Sequence, residues 1–130
     1  MLAALLTFTL FVIASAAEQP KVKEVSGLEE VNLEADEYYF EPAFLRGTPG
    51  QKLKLEIENE SSTLHSFTIP EQSLDMDIPP KGKVVVEVTF PPSGVVRFFC
   101  RFHSELGMDG ELLTGDAKPQ THTGSRNSGH

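Results

Sequence analysis

One stretch near the C-terminus packs three metal-capable side chains into a short run: Phe98-Phe99-Cys100-Arg101-Phe102-His103-Ser104-Glu105-Leu106-Gly107-Met108-Asp109-Gly110. Cys100, His103 and Met108 offer a thiol, an imidazole and a thioether in the pattern Cys-x-x-His-x-x-x-x-Met. Gly107 and Gly110 flank the methionine and let the loop curl back so that the three side chains converge. A fourth donor has to come from elsewhere. The one other histidine inside the patterned part of the chain is His65, in Leu64-His65-Ser66-Phe67-Thr68-Ile69, directly after the polar turn Asn59-Glu60-Ser61-Ser62-Thr63. Two imidazoles and a thiolate in one plane, with a weak axial methionine, make the donor set of a mononuclear copper site that cycles between Cu(I) and Cu(II). Soft sulfur suits Cu(I) and nitrogen suits Cu(II). A mixed set on a stiff scaffold therefore changes little when an electron moves.

Taken singly, each residue has a plainer reading. A buried lone cysteine behaves as a small hydrophobe and a loop methionine fills space. A histidine at a strand end is commonly a surface residue. Their conjunction in a chain with one cysteine is what points to a metal, and the elements around them must bring them together.

Those elements have a period of two. Lys52-Leu53-Lys54-Leu55-Glu56-Ile57-Glu58 alternates cleanly, so Leu53, Leu55 and Ile57 share a face. Val31, Leu33 and Ala35 repeat the pattern, as do Val84, Val86, Val88 and Phe90, and then Val96, Phe98 and Cys100. Gly47-Thr48-Pro49-Gly50, Pro79-Pro80-Lys81-Gly82 and Pro91-Pro92-Ser93-Gly94 punctuate these runs as turns. No stretch carries a capped helical stripe. The expectation is an all-β domain, an antiparallel Greek-key β-sandwich over residues 31–114. Cys100 then ends its strand facing the core at one end of the sandwich.

Outside that domain, residues 1–17 (MLAALLTFTLFVIASAA) are uncharged and end in the small-x-small form of a signal-peptidase site, with cleavage before Ala17. The run is slightly short of the about 20 apolar residues that span a bilayer. It also lacks a preceding Lys or Arg, so an uncleaved anchor is the rival expectation and the sole membrane link. Residues 18–30 read as a linker and 115–130, rich in Gly, Ser and Thr, as a disordered tail holding His122 and His130. An exported chain with one cysteine cannot form an internal disulfide, so Cys100 calls for an occupant. The formal charge of −8, from 19 acidic against 11 basic side chains, argues against nucleic acid and for a basic protein partner.

The strings His65-Ser66-Phe67-Thr68-Ile69 and Phe98 through Leu112, with Phe40-Glu41-Pro42 through Gly50 to Asn59, resemble the cupredoxin family, which includes plastocyanin, azurin and auracyanin. The resemblance covers roughly residues 31–114, and its Cys-to-His and His-to-Met spacings are those of the plastocyanin-like loop. It implies a blue-copper electron carrier outside the cytoplasm, periplasmic or extracellular and monomeric, with His65, Cys100 and His103 as strong ligands and Met108 as axial ligand. Serine follows the first histidine, where several relatives have asparagine.

Other chemistries fit less well. Structural zinc takes four strong ligands. A dinuclear copper centre needs two cysteines, and multicopper oxidases need histidine clusters that four histidines do not supply. No nucleophile elbow is present, so an enzyme is not expected. Two rivals stay open: a protein that stores or delivers copper with the same ligands, and a red-type copper site in which Glu60 or Glu105 replaces Met108. Strand direction further places Pro42, Phe44, Pro79, Pro80 and Leu106 around His103 as an apolar docking ring for redox partners, a basic c-type cytochrome among them.

Overall fold

A computed structural model describes residues 3–11 and 20–120 of the chain. The cleavage expected before Ala17 and the tail histidines His122 and His130 lie outside these residues. Among the described residues, ten strands follow one another: β1 (Val22–Glu24), β2 (Glu30–Asp36), β3 (Tyr39–Glu41), β4 (Phe44–Gly47), β5 (Lys52–Asn59), β6 (His65–Ile69), β7 (Leu74–Ile78), β8 (Lys83–Thr89), β9 (Val95–Phe99) and β10 (Asp109–Thr114). The only helical pieces among them are short 3₁₀ turns, at Pro70–Gln72 and Ser104–Leu106.

The alternation seen in the sequence becomes the core. Leu53, Leu55 and Ile57 of β5 are wholly buried, while Lys54 and Glu56 between them reach solvent. Across the antiparallel ladder they face Val88, Val86 and Val84 of β8. Each fully buried Leu or Ile contributes about 1.5–3 kcal/mol from apolar surface removed from water. β2, β3, β5 and β8 form one sheet in the order β3-β2-β5-β8, and the other six strands form a second in the order β1-β4-β10-β9-β6-β7. Between the sheets, Phe40, Phe67 and Phe98 meet with ring centroids 4.8–5.8 Å apart.

The all-β sandwich agrees with expectation; its sheets are mixed. β1 and β10 run parallel to β4, and β2 runs parallel to β5. Side-chain alternation specifies which face of a strand is buried but says nothing of its neighbour's direction. Parallel neighbours arise because the chain visits the other sheet between them, as β4 intervenes between β3 and β5. The expected linker also needs correcting. Val22–Glu24 is a strand on the edge of the larger sheet, and Val25 after it is wholly buried in the core. Its run is too short for periodicity to reveal, and it is held in place by tertiary contact. No described helix is long and apolar enough to cross a membrane.

Candidate metal centre

β6 and β9 are antiparallel neighbours, so the start of one lies beside the end of the other. His65 opens β6 and Cys100 follows the last residue of β9. Both are wholly buried, and His103, on the loop that leaves β9, is half-buried. The Nδ1 atoms of His65 and His103 are 3.2 Å apart; Sγ of Cys100 stands 3.4 Å from Nδ1 of His103 and 3.9 Å from Nδ1 of His65. Bonds of about 2.0–2.3 Å to a first-row ion put donors that share it about 3–4 Å apart. The three atoms therefore fit one ion. Neither Glu60 nor Glu105 belongs to the cluster, which leaves the red-type alternative without its carboxylate among these donors.

The loop from Cys100 to Met108 is a chain of tight turns. His103 N–H donates to Cys100 O, Leu106 N–H to His103 O and Gly107 N–H to Ser104 O. Cys100 N–H donates to Met108 O at 3.0 Å, which closes the loop and seats Met108, wholly buried, beside the thiol's own residue. Gly107 has φ +84°, a left-handed conformation that side chains resist, and this lets the loop turn back. Gly110 has a different task from the one its sequence position suggested. It already belongs to β10, and a Cβ there would collide with the Ala43 carbonyl and the Phe98 ring. It is a close-approach glycine that lets the aromatic core rise beneath the site.

Further residues hold the donors in place. Ser66 N–H points to Cys100 Sγ at 3.4 Å, and Ser66 Oγ accepts the Arg101 N–H at 2.8 Å. Ser66 thus ties the cysteine loop to β6. The Arg101 guanidinium pairs with Asp75 and Asp77 of β7 and lies over the Phe102 ring. Ser61 Oγ lies 2.9 Å from Nε2 of His65. Tyr38, in the turn between β2 and β3, packs its ring 4.7 Å from that of His103 and keeps 39% of its surface exposed. Burial, and next to it the His103 ring, hold the His65 imidazole below its usual pKa, against the opposing pull of Glu37 and Asp36. The neutral imidazole this favours is the metal-binding form.

Of the five residues expected to surround His103, Phe44 is not at the surface. Phe44 is buried in β4, a strand paired on both sides, and so is core rather than surface. Pro79 and Pro80 are exposed, Pro42 is half-buried and Leu106 is 55% exposed. Tyr38 and Phe102, whose rings flank His103, supply apolar surface that the sequence did not place there.

A β-sandwich with a buried cluster of two imidazoles and one thiol at its end defines a class, a mononuclear metal-binding domain whose donors suit copper. The cupredoxin-like domain family matches residues 2–113, and the chain belongs to that family. Solved structures of low identity share its fold. The metal-binding domain of the Streptococcus pneumoniae Cu(I)-exporting P-type ATPase CopA, solved with Cu(I), superposes with a TM-score of 0.65 at 13% identity, covering 76% of this chain and 100% of that one. Dithionite-reduced auracyanin from Roseiflexus castenholzii gives 0.56 at 15% identity over 66% of this chain and 96% of its own. Auracyanin A, a "blue" copper protein from Chloroflexus aurantiacus, gives 0.51 at 18% over 66% and 99%. No curated protein sequence matches the chain.

Proposed function

We propose that the chain binds one copper ion through His65, Cys100 and His103, with Met108 as weak axial ligand, and carries single electrons between redox proteins outside the cytoplasm. The observation that carries this reading is the convergence of two Nδ1 atoms and one Sγ at the end of a stiff, apolar sandwich. Bound copper supplies a one-electron Cu(II)/Cu(I) couple. The chain supplies the rest. Cys100 is shielded from solvent, His65 is locked in the interior, and His103 reaches the rim under Tyr38. We read it as a carrier and not an enzyme, because four histidines and one cysteine leave too few donors for a further copper cluster. Asp36 at the end of β2 and Glu37 in the turn that also holds Tyr38 put negative charge near the donors, which suits a basic partner such as a c-type cytochrome. The uncharged N-terminal run fits export, and the working unit is taken as a monomer.

Adding Cu(II) to the purified chain tests the reading. An intense visible thiolate-to-copper band should appear, and Cys100→Ser should abolish it, because a hydroxyl stays protonated. A colourless wild-type complex would overturn the proposal. Copper delivery is the second reading, favoured by the fold shared with the CopA metal-binding domain. Reversible voltammetry with copper retained in both states supports electron transfer, and loss of the ion on reduction supports delivery.

A further inference from the structure

The turn before His65 contains a hydrogen-bond relay whose direction is fixed by acceptors that cannot donate. Asn59, wholly buried at the end of β5, points Nδ2 at two backbone carbonyls, Thr63 O at 2.8 Å and Ile78 O at 3.0 Å. Carbonyls only accept, so the amide nitrogen must be on that side and Oδ1 on the other. Oδ1 in turn takes the Ser61 N–H at 2.9 Å and lies 2.8 Å from Ser61 Oγ. Ser61 Oγ also lies 3.2 Å from Thr63 O, and neither carbonyl oxygen has a proton to give, so the single hydroxyl proton of Ser61 goes to one of these two acceptors, Asn59 Oδ1 being the nearer. Ser61 Oγ is left as an acceptor, toward Thr63 N–H at 3.2 Å and toward Nε2 of His65 at 2.9 Å. Nε2 of His65 must then carry the imidazole proton, and Nδ1 is left with its lone pair facing Cys100 and His103.

We infer that Ser61 and Asn59 are positioning residues of the metal centre, which hold His65 in the Nε2–H tautomer so that Nδ1 is ready for the metal before any ion arrives. The inference rests on the metal-site reading above and deepens it. His103 differs: among the described residues no hydrogen bond reaches its Nε2, and its ring is braced by contact with Tyr38. The buried histidine is set by polar bonds and the rim histidine by packing. Partners that orient a metal-binding histidine typically contribute about 10–100-fold to metal affinity.

The test uses the full chain. Nitrogen-15 NMR of the metal-free protein at about pH 8, where an ordinary imidazole is neutral, should show His65 with its proton on Nε2. In Ser61→Ala, with Asn59 and the fold intact by thermal melting, the Nδ1–H form should appear. Cu(I) affinity measured by competition with a chelator should fall about 10–100-fold. Ser61→Thr, which restores a hydroxyl, should recover both. A merely structural role would lower the melting temperature and leave tautomer and affinity alone. Nδ1–H on wild-type His65, or Ser61→Ala with unchanged tautomer and affinity, overturns the inference. Because the wild-type tautomer is read without metal, it stands or falls separately from the copper proposal and needs no variant to fold.

Discussion

Ser66 is the residue on which the cysteine loop hangs, and replacing it with alanine should weaken the fold while sparing the donors. Its hydroxyl is wholly buried, and its bonds have a fixed sense. Thr68 Oγ1 donates its one proton to Asp75 at 2.9 Å, so the 3.0 Å bond between the two hydroxyls is donated by Ser66. Ser66 Oγ is then the acceptor for the Arg101 N–H at 2.8 Å. Ser66→Ala removes that acceptor. An orphaned donor costs about 1–3 kcal/mol when water cannot replace the lost partner. Arg101 itself lies at the surface, so water reaches part of this backbone and the loss belongs near about 1 kcal/mol. For a domain of this size that lowers Tm by about 4–8 °C. Urea unfolding of the metal-free full chain is the right assay, because bound metal would add stability by mass action and mask the difference. The slope of the transition should be unchanged. Thr68→Val combined with Ser66→Ala should cost less than the two losses added, since both act through one chain of hydroxyls. The visible copper band should persist, because the bond to Cys100 Sγ comes from the Ser66 backbone N–H, which alanine keeps. Stability equal to wild type, or disappearance of the band, would refute this account.

Two further outcomes follow from the same geometry. Met108→Leu should keep copper and colour while raising the reduction potential by voltammetry, since loss of a weak donor destabilises Cu(II) more than Cu(I); collapse of copper binding would make Met108 a strong ligand or a folding residue. Leu106→Glu should slow electron exchange with a redox partner and leave the copper spectrum intact, because Leu106 is 55% exposed on the ligand loop; an unchanged rate would mean that electrons use another face.

The sequence was most legible where one residue pattern has one structural meaning. Alternation at Leu53 to Ile57 and Val84 to Phe90 could build only half-buried strands, and the structure pairs those runs residue for residue. Cys100 was placed correctly at the sandwich end because burial parity carried through from Phe98. The meeting of His65 with Cys100 and His103 was inferred from residue types, and the antiparallel register of β6 and β9 supplies its cause. Direction and depth were harder. Phe44 passed for a rim residue because alternation does not report that β4 is covered on both edges. Val22–Glu24 passed for linker because a three-residue strand has no period to detect. Tyr38 was invisible, since only the folded turn brings it to a histidine far along the chain. Asn59, Ser61 and Thr63 were read as a polar turn, and hydroxyl and amide directions within a turn cannot be read from residue types alone.

The two histidines consequently divide the work of the proposed site. A carrier must keep its ion through each change of charge and still offer electrons a short path out. Firm holding is served by burial and a fixed polar bond: His65 lies in a strand enclosed by β7 and β9 and is held at Nε2 by Ser61. A short path is served by the opposite features, a ligand on a loop, half-exposed and under an aromatic ring that also faces solvent, and these describe His103. Placing both demands on one residue would set them against each other. A histidine at the rim held by polar bonds to water would reorganise with every electron, whereas contact with the apolar faces of Tyr38 and Phe102 involves no such rearrangement. On the proposed reading, an ion handed to another protein would have to break its bond to the deeply fixed His65 as well as to the accessible His103, which is why we prefer electron transfer to delivery as the proposal.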